Sequence, residues 1–154
     1  MKSLVLLLIL LFWIPKYGMF AQKKKVIVID ARHGGRDFGA LGTNHTKEKD
    51  ITLSMARAML VYNRTILKHR YELYLTRYGD TLISLRHRTK LVRALRPDLF
   101  ISLHCNHAKN ERASGVEVFL HSKTSLATEN QKKSNEIGLS IIQTLVERIG
   151  YRNR

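Results

Sequence analysis

Short runs of strand type alternate with longer stretches of helical period along most of this chain. Val26-Ile27-Val28-Ile29-Asp30 is a compact β-branched run, the pattern of a strand buried on both faces. A glycine-rich loop follows from His33 to Gly42. From Glu48 the period changes. Ile51, Met55, Ala58, Met59, Tyr62 and Ile66 mark one face of a helix. Glu48 and Asp50 fall in its first turn, where the helix dipole favours acids. Tyr71 to Thr76 alternates and predicts a second strand. Leu82 to Leu95 predicts a basic helix, stopped by Pro97. Asp98–His104 and Gly115–Leu120 predict the third and fourth strands. Ile137, Ile141, Leu145 and Ile149 recur every four positions and predict a final helix over Asn130–Ile149. This alternation predicts the α/β class: one layered domain with a mixed, largely parallel sheet flanked by helices.

The N-terminus is of another kind. Lys2 precedes an unbroken apolar run of 11 residues, Leu4 to Ile14. A bilayer-spanning helix needs roughly 20. Pro15, Lys16 and Gly18 end the run, and Ala21 offers a small residue before Gln22. The expectation is a signal peptide over residues 1–21 and a mature domain over 22–154. An uncleaved N-terminal anchor is the alternative, because Met19 sits where a small residue is preferred. Removing the leader takes away only Lys2 and Lys16. The mature part then carries 25 Lys and Arg against 12 Asp and Glu, a net charge of +13. An exported chain this basic favours anionic polymers or membrane surfaces. One cysteine, Cys105, excludes an internal disulfide framework and a Cys-rich zinc module. A cytosolic nucleic-acid binder lacks any RRM, KH or zinc-finger motif here, so no nucleic-acid partner is expected.

Three metal-ligating residue types stand at element ends. His33 lies just past the first strand, Glu48 opens the first long helix, and His104 closes the third strand. Ligands in open α/β sheets gather outside the carboxyl ends of strands. Two His and one Glu form a catalytic zinc set with a fourth position open. Zinc suits hydrolysis of an unreactive bond, since it lowers the pKa of bound water to about 7 and polarises a carbonyl. Strand alternation places Ser102 with His104 on one face and Leu103 with Cys105 on the other. Residue types and positions alone leave zinc open, because no compact H-E-x-x-H pair is present.

The surrounding residues are more specific. Val26-Ile27-Val28-Ile29-Asp30-Ala31-Arg32-His33-Gly34-Gly35-Arg36-Asp37-Phe38-Gly39-Ala40 resembles the opening motif of the zinc-dependent N-acetylmuramoyl-L-alanine amidases. Glu48-Lys49-Asp50 with Leu53 resembles their second motif. Leu75-Thr76-Arg77, Asp80 and Leu85-Arg86-His87-Arg88 resemble their central segment. Asp98 to Ala108 resembles the third, and Gly115-Val116-Glu117-Val118-Phe119 follows in order. The resemblance implies that His33, Glu48 and His104 hold Zn2+, with Asn106 near the metal. It implies a peptidoglycan hydrolase that cuts the amide between N-acetylmuramic acid and L-alanine, located in the periplasm or cell wall. In the family, water activated by zinc attacks that carbonyl, and a glutamate near the C-terminus handles the proton.

The match departs from the family at that glutamate. The family carries it on a strand after the last helix, in a segment resembling Leu-Val-Glu-x-Gly-Phe. This sequence reads Tyr151-Arg152-Asn153-Arg154 after that helix. The expectation is therefore a C-terminally shortened domain without its last strand, and no catalytic base is assigned. Glu147 falls inside the amphipathic helix and is expected to be solvated. Glu117 could approach a crevice but matches no family base. Arg32 stands where the family has glycine, and is expected to turn into solvent. Asp30 and Asp37 are candidate outer acceptors, with capping and turn roles equally open. His45, His69, His87 and His121 are expected to be solvated, and His107 to lie nearer the motif. The alternative function is a non-catalytic module that grips anionic cell-wall polymer through the basic surface.

Overall fold

A computed structural model describes residues 23–108, 110, 113–121 and 128–150. The expected leader over residues 1–21 and the last four residues lie outside them. Contacts divide the chain into two compact units, one ending at Cys105 and one beginning at Asn106.

The first unit is built on three parallel strands: β1 (Val26–Ala31), β2 (Glu72–Leu75) and β3 (Leu99–Leu103). Their spatial order is β2-β1-β3. Ile29 lies in register with Leu75 on one side and Ile101 on the other, and Ala31 pairs with Leu103. β1 is therefore the central strand, and its last four residues, Val28 to Ala31, are all buried. Helix α1 (Glu48–Thr65) connects β1 to β2, and α2 (Leu85–Leu95) connects β2 to β3. Ser84 caps α2 by accepting from the His87 N–H. Arg96, left-handed at φ 45°, ends it just before Pro97.

The two sheet faces differ in chemistry. Ile29, Ala31 and Leu75 pack with Ala56 and Leu60 of α1, alongside Ile27, Leu73, Ile101 and Leu103. Strand alternation puts Asp30, Thr76 and Ser102 on the other face. There Asp30 accepts from Thr76 Oγ1 at 2.7 Å and Ser102 Oγ at 3.0 Å, and it pairs with Arg88 of α2. One face is an apolar core, and the other carries a buried ionic group of Asp30, Thr76 and Arg88.

Two expectations change. The stripe Ile51, Met55, Ala58, Met59, Tyr62 and Ile66 is exposed along α1. The face turned to the sheet carries Lys49, Thr52, Leu53, Ala56 and Asn63. Its polar members are buried because each has a partner: Thr52 Oγ1 donates to Arg32 O at 3.0 Å, and Asn63 Nδ2 to Tyr71 O at 2.9 Å. The second change is at Gly115–Leu120. That segment has an isolated bridge at Val116 and no ladder among the described residues. An alternating pattern fits a pleat, but a strand also needs a neighbour with free backbone groups.

The second unit contains helix α3 (Glu129–Gln143), which runs on into a π-helical turn, Thr144–Arg148. Thr128 and Gln131 form a reciprocal capping box at its start. Val118 and Leu120 lie against Gly138 of α3, so closely that a β-carbon there would sit 3.1 Å from both side chains. Among the described residues, no helix is long and apolar enough to cross a membrane.

Candidate metal centre

The strand order sets the position of the site. The order β2-β1-β3 sets β1 and β3 side by side, so the residues just past their carboxyl ends lie near one another, on the edge where open α/β sheets place their ligands. His33 leaves β1 there and His104 leaves β3. His33 is left-handed, with φ 62°. The tight turn after it closes through two backbone bonds, Gly34 N–H to Asp37 O at 2.9 Å and Asp37 N–H to Gly34 O at 3.1 Å. That turn brings Asp37 Oδ1 to 2.9 Å from His33 Nδ1. The ring's other nitrogen, Nε2, lies 3.2 Å from Glu48 Oε2.

Glu48 is the first residue of α1 and is only 5% exposed. Backbone donors fix both carboxylate oxygens. The Ala40 N–H gives to Oε2 at 2.9 Å, and the Cys105 N–H gives to Oε1 at 2.9 Å. His104 Nδ1 stands 3.1 Å from Oε1. The two imidazole rings meet edge to face, with centroids 5.8 Å apart. One donor atom from each of His33, Glu48 and His104 lies within 4.8 Å of the others. The three residues expected from the sequence therefore converge.

Electrostatics favour a cation at this point. Burial opposes ionisation of Glu48 most strongly, but the two N–H groups and the two imidazoles outweigh it and hold its pKa below the ordinary value. The hydrogen bond to His33, ahead of the Gly39 N–H, holds Asp37 low as well. Asp37 so fixes the His33 tautomer that leaves Nε2 free as a donor, a carboxylate–histidine arrangement common at zinc sites. The donor set thus fits a divalent metal of the zinc type, with His104 open to solvent on one side.

The glycine-rich loop is held in place around this centre. Gly39 has φ +69°, and a β-carbon there would lie 2.6 Å from Glu48 Oε2 and from His33 Cδ2. The Gly35 N–H donates to Asp80 Oδ1 at 2.7 Å. Lys49 Nζ bridges Gly35 O at 2.8 Å and Asp80 Oδ2 at 2.6 Å. Lys49, with the Gly35 N–H, holds the Asp80 carboxyl below its usual range.

Asp30 and Arg32 make other contacts. Asp30 bonds Thr76, Ser102 and Arg88, not a ligand side chain. Arg32 is half-buried, not turned into solvent; its Nη1 lies 4.0 Å from Asp30 Oδ2, which offsets the charge. Cys105 joins the site through its N–H, while burial and then the Glu48 charge push its thiol pKa up. Asn106 Nδ2 donates to Glu117 Oε2 at 3.3 Å within the second unit. His45, His69, His87, His107, His121 and Glu147 are exposed. Sequence reasoning missed the Ala40 and Cys105 N–H donors and the roles of Lys49, Arg77 and Arg88. The first two carry no side-chain signal. The three basic residues could have been found as cations among β-formers and in helix turns where solvated charges are not required.

A profile of the family described as N-acetylmuramoyl-L-alanine amidase matches residues 27–154. The chain belongs to this family. The amidase AmiA of Escherichia coli K12 is 38% identical over 114 residues, covering 73% of this chain and 38% of that protein. A putative amidase of Buchnera aphidicola from Baizongia pistaciae is 37% identical, covering 70% of this chain and 48% of its own. The chain thus spans less than half the length of either relative. Among solved structures, the amidase from Clostridium difficile 630 superposes with a TM-score of 0.70 at 28% identity, covering 85% of this chain and 67% of that one. The catalytic domain of the amidase CwlV from Bacillus (Paenibacillus) polymyxa gives 0.52 at 37% identity, covering 59% and 50%. The amidase fold expected from the motifs is the fold observed, a small parallel sheet flanked by helices.

Proposed function

We propose that this chain is a zinc-dependent N-acetylmuramoyl-L-alanine amidase acting on peptidoglycan outside the cytoplasm. The observation that carries the reading is the convergence of His33, Glu48 and His104 within 4.8 Å, just past the strand ends of an amidase-family fold. His33 Nε2, a Glu48 carboxylate oxygen and His104 Nδ1 would hold the metal. When bound, zinc supplies Lewis acidity that polarises an amide carbonyl and acidifies water.

The chain's own groups do the rest. Asp37 keeps the His33 tautomer fixed. The Ala40 and Cys105 N–H groups keep Glu48 ionised and in one orientation. The exposed side of His104 leaves room for an extended glycan-linked peptide to approach. Export is supported by the apolar leader at residues 4–14 and its polar, small-residue flank.

A second reading has one observation behind it. A groove of about 730 Å3 beside β2 is lined by Lys24, Arg57 and Arg64 together with Tyr71 and Tyr74. Cations and aromatic rings suit an anionic glycan, and this reading makes the chain a wall-binding module. One experiment separates the two. Purified peptidoglycan is incubated with the protein, with and without zinc, and new L-alanine amino termini are counted. Zinc-dependent release that disappears in His33→Ala and His104→Ala supports the amidase. Salt-sensitive binding with no new termini supports the second reading and rejects the first.

A further inference from the structure

Past Ala31 the β1 ladder stops, and three consecutive carbonyls run toward the metal centre without a strand partner. Two buried guanidinium groups take all three. Arg77 Nε donates to Ala31 O at 2.9 Å, and its Nη2 to Arg32 O at 3.2 Å. Arg88 Nη1 donates to Ala31 O at 3.2 Å, and its Nη2 to His33 O at 3.1 Å. The two arginines are 3% and 5% exposed.

Each is anchored a second time. Arg77 Nη2 also reaches Lys49 O at 2.6 Å, and Nη1 reaches Gly79 O at 3.0 Å. One nitrogen thus ties the residue before His33 to the residue after Glu48. Arg88 pairs with Asp30 and gives its Nε to Ile83 O at 3.0 Å. Between these braces sits His33 in a left-handed conformation, which a residue with a β-carbon keeps only where its surroundings over-determine it.

We propose that Arg77 and Arg88 act as a clamp that holds the backbone of residues 31–33 in the conformation aiming His33 Nε2 at Glu48. They are positioning residues, and the proposal rests on the metal reading above. The hydrogen bonds and ion pairs of the two guanidinium groups go to backbone carbonyls, Thr52, Thr76 and Asp30, not to the His33, Glu48 or His104 side chains, so each acts through the main chain. The planar fork is what the geometry needs. Arg88 spans Asp30, Ala31 O and His33 O at once, and a lysine ammonium could keep the Asp30 charge paired but not span to His33 O.

The test compares zinc affinity at known stability. Competition with a chromophoric chelator is measured for wild type, Arg88→Lys, Arg77→Lys and Leu75→Ala, with a urea midpoint for each. Leu75 is a core residue 2% exposed and serves as a purely structural perturbation. The clamp predicts that both lysine variants lose about 10- to 100-fold in zinc affinity, while Leu75→Ala, equally or more destabilised, binds zinc as wild type does. Lysine variants with wild-type affinity overturn the proposal, as does affinity that simply tracks stability across the four proteins. A lysine variant that no longer unfolds cooperatively overturns it too, since the residue then supports the fold and not the ligand. Wild type that binds no zinc defeats the metal reading itself.

Discussion

Gly39 and Asp37 show how little room the centre leaves. A methyl at Gly39 would press on both Glu48 and His33, 2.6 Å from an atom of each, at a φ of +69° that L-residues avoid. Gly39→Ala is predicted to weaken metal binding at least tenfold, with the far-ultraviolet circular dichroism unchanged; titration with a chelator competitor checks it, and unchanged affinity contradicts it. Asp37→Ala removes the acceptor that sets the His33 tautomer, and is predicted to cost about 10- to 100-fold in zinc affinity. The same titration decides, and an effect below threefold would count against the orienting role. His33, Glu48 and His104 were legible through the motifs around them, since imidazole and carboxylate side chains at element ends left the metal open by themselves. The N–H groups of Ala40 and Cys105, which hold Glu48, were not, because every residue except proline offers the same donor.

Helix α1 is the element whose reading turned over. Its apolar period marks an exposed face, while the face against the sheet mixes Ala56 and Leu53 with Lys49, Thr52 and Asn63. Periodicity counts apolar residues, and it misreads a helix whose buried polar groups are each bonded to a strand end or loop. Met55→Lys, at a position 45% exposed, is therefore predicted to change stability by less than about 0.5 kcal/mol. Ala56→Leu, at a position with no exposure, is predicted to cost roughly 1–3 kcal/mol through overpacking. Urea melts of the two variants check the assignment, and the opposite ranking would restore the sequence pattern. The strands were easier to read. β2 and β3 fall inside the runs expected for them and β1 runs one residue past its own, to Ala31, since runs of β-branched and aromatic residues have few other uses. Gly115–Leu120 has the same look but no ladder among the described residues, because pairing depends on a neighbour that local sequence does not reveal.

The whole molecule carries a consistent pH signature. Asp37, Glu48, Asp80 and Asp98 all have pKa values below their ordinary ones in the folded chain. A carboxyl depressed by folding stabilises the fold above its unfolded pKa of about 4, and that contribution is lost as pH falls through the folded value. Urea midpoints are thus predicted to hold from pH 7 to pH 5 and to drop toward pH 3. A midpoint that stays level or rises at pH 3 contradicts the assigned partners. His33, Glu48 and His104 converge at the carboxyl edge of the sheet, and zinc stoichiometry reads whether that convergence holds a metal. Metal content by mass spectrometry should be about one zinc per wild-type chain and per His69→Ala control, and near zero in His33→Ala, Glu48→Ala and His104→Ala. Equal metal content in all five proteins would contradict the account.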